Sequence, residues 1–103
     1  MTMSAQVGWV LPTERESNNP LPVESILESI ISIKVDGAPS FAELDRVPAP
    51  GITHLIPDLA DGTWVWQVEI VDKSGRVSAP AEQTFLIDES PPKAATGLTV
   101  DLS

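Results

Sequence analysis

No cysteine occurs among the 103 residues, which removes disulfides, thiolate metal ligands and cysteine nucleophiles together. Histidine is almost as scarce. His54 stands alone, so neither a Cys–His pair nor a metal site of the usual kind can be assembled around it. Positive charge is short too: six Lys and Arg face fifteen Asp and Glu, a formal net charge of −9. Such a surface repels phosphate backbones and anionic lipid, both of which are gripped by Lys/Arg clusters. It argues against a nucleic-acid partner and favours solubility and basic protein partners. Long hydrophobic runs are missing. The near-apolar stretch Ile26–Val35 is broken by Glu28 and Lys34 and is too short to cross a bilayer, so no membrane insertion is expected. The segment Met1–Ala5 has neither the basic nor the apolar region of a secretory signal, and the expectation is a soluble product that stays where it is made. The glycine motifs that cradle nucleotides and the Arg-Gly-Asp adhesion tripeptide are absent.

What the chain does have is apolar alternation at period two, which predicts half-buried strands. Trp64, Trp66, Val68 and Ile70 share one face of a strand, with Val65, Gln67, Glu69 and Val71 on the other. Ile52, His54 and Ile56 form a second set, Ile31, Ile33 and Val35 a third, and Phe85 with Ile87 a fourth. Turn residues separate these runs: Asp36-Gly37, Pro48-Ala49-Pro50-Gly51, Asp61-Gly62 and Lys73-Ser74-Gly75. Ten prolines punctuate the same boundaries. Val23, Ile26, Leu27, Ile30 and Ile31 also fit helical spacing, but the β-branched run Ile30–Val35 predicts a strand preceded by a helical turn. Pro12–Pro22 has no regular period and is expected to be an exposed polar connection. Short strands and closely spaced turns predict an all-β sandwich. It spans residues 1–90, followed over 91–103 by a proline-led arm in which Leu98 and Val100 alternate with Thr99 and Asp101.

The segment Leu59–Pro80 (LADGTWVWQVEIVDKSGRVSAP) resembles the E–F turn, F strand and F–G turn of bacterial and phage fibronectin type III domains. Val7–Ile26 (VGWVLPTERESNNPLPVESI) is similar to the same family's B strand and B–C loop. The resemblance implies a seven-strand-type fibronectin III or immunoglobulin-like sandwich with a structural core at Trp9, Leu59, Trp64, Trp66 and Val68. In it Trp9 packs between the sheets and Leu59 plugs the base of the core. Trp64 stands where the family has the tyrosine of its tyrosine corner. An indole offers one N–H donor and no acceptor, so the corner must be wired differently here. The family's proline-led A strand has little room ahead of strand B, yet Pro91–Ser103 (PPKAATGLTVDLS) looks like one appended after strand G. Three explanations compete: the segment fills the A position of its own domain, fills that of a neighbouring copy by strand addition, or begins the next repeat of a longer array.

The remaining candidates point away from catalysis. His54 falls at a position that the family fills with an aromatic, which implies a structural role. Glu14 and Glu16 lie in the long loop, while Asp58 and Asp61 flank a turn where Asp serves turn geometry. Asp58, Asp61 or Asp72 would suit calcium, but no Asp-rich loop with ligand spacing occurs, and no metal or other cofactor is expected. Trp64 and Trp66 invite carbohydrate stacking, but their shared face with Val68 and Ile70 favours the core. A non-enzymatic contact module is therefore expected, with the contacts at Thr96, Leu98, Val100 and Asp101 of the arm and at Glu14, Glu16, Asn18 and Asn19 of the loop. The preferred reading is a virion accessory protein of a tailed bacteriophage, on the capsid or the tail. Assembled in the host cytoplasm, it would bind shell or tail proteins or copies of itself by strand exchange. The alternatives are a spacer or adhesion module of a larger extracellular or cell-surface bacterial protein or polysaccharide-degrading enzyme, and a small carbohydrate-binding domain.

Overall fold

A computed structural model describes residues 2–102, so that Met1 and Ser103, the outer ends of the predicted sandwich and arm, lie outside the described residues. Six strands follow one another: β1 (Met3–Gly8), β2 (Ile26–Val35), β3 (Ala42–Pro48), β4 (Thr53–Leu59), β5 (Gly62–Asp72) and β6 (Ala81–Ile87). They form two antiparallel sheets, β1–β4 and β3–β2–β5–β6, which make the layers of a β-sandwich. The helical periodicity before β2 amounts to one 3-10 turn, Val23–Ser25, after which the β-branched residues take over.

Alternation decides which side chains meet between the layers. β1 contributes Val7 and β4 contributes Ile56 and Leu59; opposite them stand Ile31 and Ile33 of β2, Trp66 and Val68 of β5, and Ile87 of β6. Ile31 and Ile56 are fully enclosed. Leu59 reaches this face through an irregularity. Pairing slips between Met3 and Ala5, and Asp58 takes a positive φ of 60°, a conformation that Asp tolerates better than most residues. Without that extra residue, strict alternation from Ile56 would send Asp58 inward and Leu59 to solvent.

Trp9 stands just past the end of β1, where its backbone N–H still donates to the carbonyl of Ile52 at 3.0 Å. It is half-buried and packs on the rim of the core, so the centre belongs to Ile31 and Ile56 and not to the indole as the resemblance implied. Its Nε1–H donates to Oγ of the fully buried Ser29 at 3.0 Å, giving a polar group in the interior its partner. Trp64 is also half-buried against the core, and Trp66 is 5% exposed. The outer face of the larger sheet hides apolar groups as well. Ile30, which stands between Arg46 of β3 and Glu69 of β5, is buried, as are Val65 and Val71.

Strand pairing defines the two ends of the sandwich. Gly8 pairs with Thr53, Ile26 with Asp72, and Val68 with Ala81, so the Pro12–Pro22 loop and the β5–β6 turn share one pole. At the other pole Met3 pairs with Leu59 and Gly62 with Ile87, which places the start of β1, the β4–β5 turn and the end of β6 together. From that second pole the chain runs on as an arm that, over its described residues, joins neither sheet. It draws the molecule out to 75 × 33 × 21 Å with a radius of gyration of 19.9 Å, against roughly 13 Å for a compact chain of this length.

Candidate contact surfaces

At the loop pole the Pro12–Pro22 segment is more ordered than its lack of periodicity predicts. Glu14 bridges Pro20, Arg15 N–H donates to Asn19 O, and Leu21 N–H donates to Thr13 O, forming a small hairpin. Asn18 closes it at φ 68°, in the left-handed region that Asn visits readily. The predicted contact residues Glu14, Glu16, Asn18 and Asn19 are thereby displayed on one tip, all but Glu14 and Glu16 uncharged, and all exposed. Between this hairpin and the β5–β6 turn lies an open groove of about 730 Å³. Leu21, Ile70 and Val77 supply its apolar lining, and Arg15 and Asp72 tie its two sides together.

Asp72 is the polar keystone of this pole. One carboxylate oxygen accepts from the backbone N–H groups of Ser74 and Arg76, both at 2.9 Å. The other meets Arg15 Nη1 at 3.0 Å and Arg76 Nε at 3.1 Å. With every acceptor direction taken by a donor, two of them cationic, the calcium considered for Asp72 has nowhere to bind. The Asp61 carboxylate instead receives the backbone N–H of Glu89 at 3.1 Å, and Asp58 serves the irregularity in β4. Among the described residues no group of three or more potential ligands gathers around a common point. His54 lies on the inner-facing side of β4, with Nδ1 3.7 Å from an Asp45 oxygen.

The Arg76 backbone N–H holds the Asp72 carboxyl below its ordinary value of 3.8; burial opposes the shift, and Arg15, the Ser74 N–H and the Arg76 charge reinforce it. A depressed carboxyl stabilises the fold wherever both states are ionised. As pH drops below the ordinary value the unfolded chain takes up the proton first, and that stabilisation is lost until the folded carboxyl protonates too. The native protein should therefore be more stable than Asp72→Asn at neutral pH, and the gap measured by urea unfolding should close as pH falls through and below 3.8. A gap of constant size down to the acid limit would contradict this account.

At the arm pole, Trp64 Nε1–H donates to the Ala60 carbonyl at 2.9 Å. The indole thus reaches backwards across the β4–β5 turn, and a donor alone suffices because the partner is a carbonyl. Asp88 accepts from Ser90 Oγ at 2.6 Å and from Ser90 N–H at 2.9 Å, shaping the exit of the chain just before Pro91-Pro92. Beyond it the predicted contact residues Thr96, Leu98, Val100 and Asp101 are all exposed, and Leu102 extends the alternation. Leu98, Val100 and Leu102 are 89%, 83% and 87% exposed. Loop and arm residues therefore occupy opposite ends of the molecule; the fold does not bring them into one site. No protein-family model matches the sequence, and no curated protein matches it either.

Proposed function

We propose that this chain is a non-enzymatic contact module of the fibronectin type III kind, acting as a virion accessory protein of a tailed bacteriophage on the capsid or the tail. The family reading is supported by the bond from Trp64 to Ala60, which does with an indole N–H what the tyrosine corner does with a hydroxyl. The observation that carries the functional reading is the arm. A sandwich that has enclosed its own apolar face leaves three large apolar side chains at alternate positions in open solvent. Apolar groups so displayed cost free energy until a partner covers them. An acidic body suits attachment to a shell or tail protein that offers basic surface. Assembly in the host cytoplasm and exposure only with the particle follow from this placement.

Banding of a phage lysate containing the chain tests the proposal. The chain should travel with the particles, and Leu98→Asp/Val100→Asp should leave it in the soluble fraction with its fold intact. Recovery of the unaltered chain wholly apart from particles would overturn the reading.

A further inference from the structure

The sandwich has four sheet edges, and three of them are guarded. β3 carries Glu43, Asp45, Arg46 and Pro48; β4 carries Pro57 and Asp58; β6 carries Glu82. Charges and prolines of this kind keep edges from pairing with other chains. β1 reads MSAQVG, with neither a charge nor a proline, and among the described residues it pairs on one side only, with β4. It is also half of the thinner layer, two strands set against four. An unguarded edge on the narrow sheet and an unpaired arm with strand-like alternation complement each other.

Direction decides how they can meet. β1 runs from the arm pole to the loop pole, whereas β6 arrives at the arm pole and releases the arm there. An arm turning back from that pole onto its own β1 would run parallel to it. To run antiparallel, as every pair in this fold does, it must enter from the loop pole, at the far end of its own molecule but at the near end of a copy stacked below. From these directions we infer that the arm of one chain adds antiparallel to β1 of the next, head to tail. The inference rests on the contact-module reading and names the partner as a second copy of this chain.

The register follows from facing apolar residues. Val7 is buried and Ala5 packs on the core, so Leu98 falls opposite Val7, Val100 opposite Ala5 and Leu102 opposite Met3. Gly97–Leu102 matches Met3–Gly8 residue for residue. In the same register Lys93, the arm's single basic residue, comes beside Pro12 of the acceptor, next to its Glu14 and Glu16. Each chain keeps a free edge at one end and a free arm at the other. The contact is therefore heterologous and propagates into filaments, or into rings where the rotation closes.

The chain contains no cysteine, so two introduced thiols report on the register without competition. Gln6 and Thr99 are exposed and fall opposite each other in the inferred pairing. A mixture of Gln6→Cys and Thr99→Cys chains should form mixed disulfide dimers well in excess of either like pair on mild oxidation. Sedimentation of the unaltered chain should show mass growing with concentration beyond the dimer. Leu98→Asp/Val100→Asp, whose sites are exposed and do not support the fold, should remain monomeric with an unchanged melting temperature. An unaltered chain that stays monomeric from micromolar to millimolar concentration overturns the exchange, whether its arm is free or folded onto its own β1. So does a statistical mixture of disulfides. A monomer that still bands with particles would sink this inference and leave the contact reading standing; polymers absent from particles would keep both and overturn only the virion placement.

Discussion

Replacing Ile31 with alanine should remove about 2–5 kcal/mol of folding stability, a large share of the roughly 5–15 kcal/mol that a domain of this size possesses. Ile31 is fully buried at the middle of β2, paired with Asp45 on one side and Val68 on the other, and it faces the layer that contains Val7 and Ile56. Both neighbouring strands hold its backbone in place, so the sheets cannot close over the space left by the lost atoms. The destabilisation includes that cavity as well as the lost burial. Leu98→Ala, by contrast, should change stability by no more than about 0.5 kcal/mol, because its side chain touches almost nothing in the single chain. Urea unfolding at low protein concentration, with equal m-values, separates the two. Each kcal/mol should also lower the Tm by about 4–8 °C. Equal midpoints for the two variants would mean that the core is not where the alternation of β2 and β5 puts it.

The strands that bury one face were legible because burial writes period two into them. In β5 the alternation from Trp64 to Ile70 points to the inner face, and the structure puts Trp66 and Val68 in the core with Trp64 and Ile70 against it. β3 left no such mark. Five of its first six residues are charged or exposed aliphatics or alanine, and only Val47 is even half-buried. It is a strand because β2 offers its backbone an edge and Arg46 reaches Glu28 at 2.8 Å, a pairing between distant segments. Ile30 and Val65 were illegible for the opposite reason. They lie on the solvent side of the sheet, yet the flanking strands cover them, and alternation alone reports a face but not its neighbours.

The candidate surfaces divide in the same way. The arm could be read because its apolar alternation is local. The loop hairpin could not, since it depends on backbone bonds within Thr13–Leu21 and on Arg15 meeting Asp72 across 57 positions of chain. Trp9 illustrates the limit on assigning depth. A large aromatic near a strand end can fill a centre or close a rim, and the choice depends on where the chain leaves the sheet. Here β1 ends at Gly8, so the indole closes the rim.

Trp66→Ala should be among the most damaging single changes, costing about 3–5 kcal/mol. The indole is enclosed in the middle of β5, and its ring lies 6.2 Å from that of Trp9 with a 53° tilt, so the two form one aromatic wall along the core. Its Nε1–H donates to Gln83 Oε1 at 3.1 Å, but Gln83 is exposed and regains water when the indole is lost. The energy therefore lies in packing and not in that bond. Trp66→Phe, which keeps a ring in place, should recover most of the stability. The effect should spread to Trp9. With its neighbour gone, the indole that closes the rim and satisfies Ser29 becomes accessible, so native-state fluorescence should shift to the red and be quenched more readily by acrylamide. In Trp66→Phe the emission of Trp9 should remain shielded. A Trp66→Ala protein that loses less than about 1 kcal/mol, or that leaves Trp9 as protected as before, would show that the two rings do not share the burden of closing the sandwich.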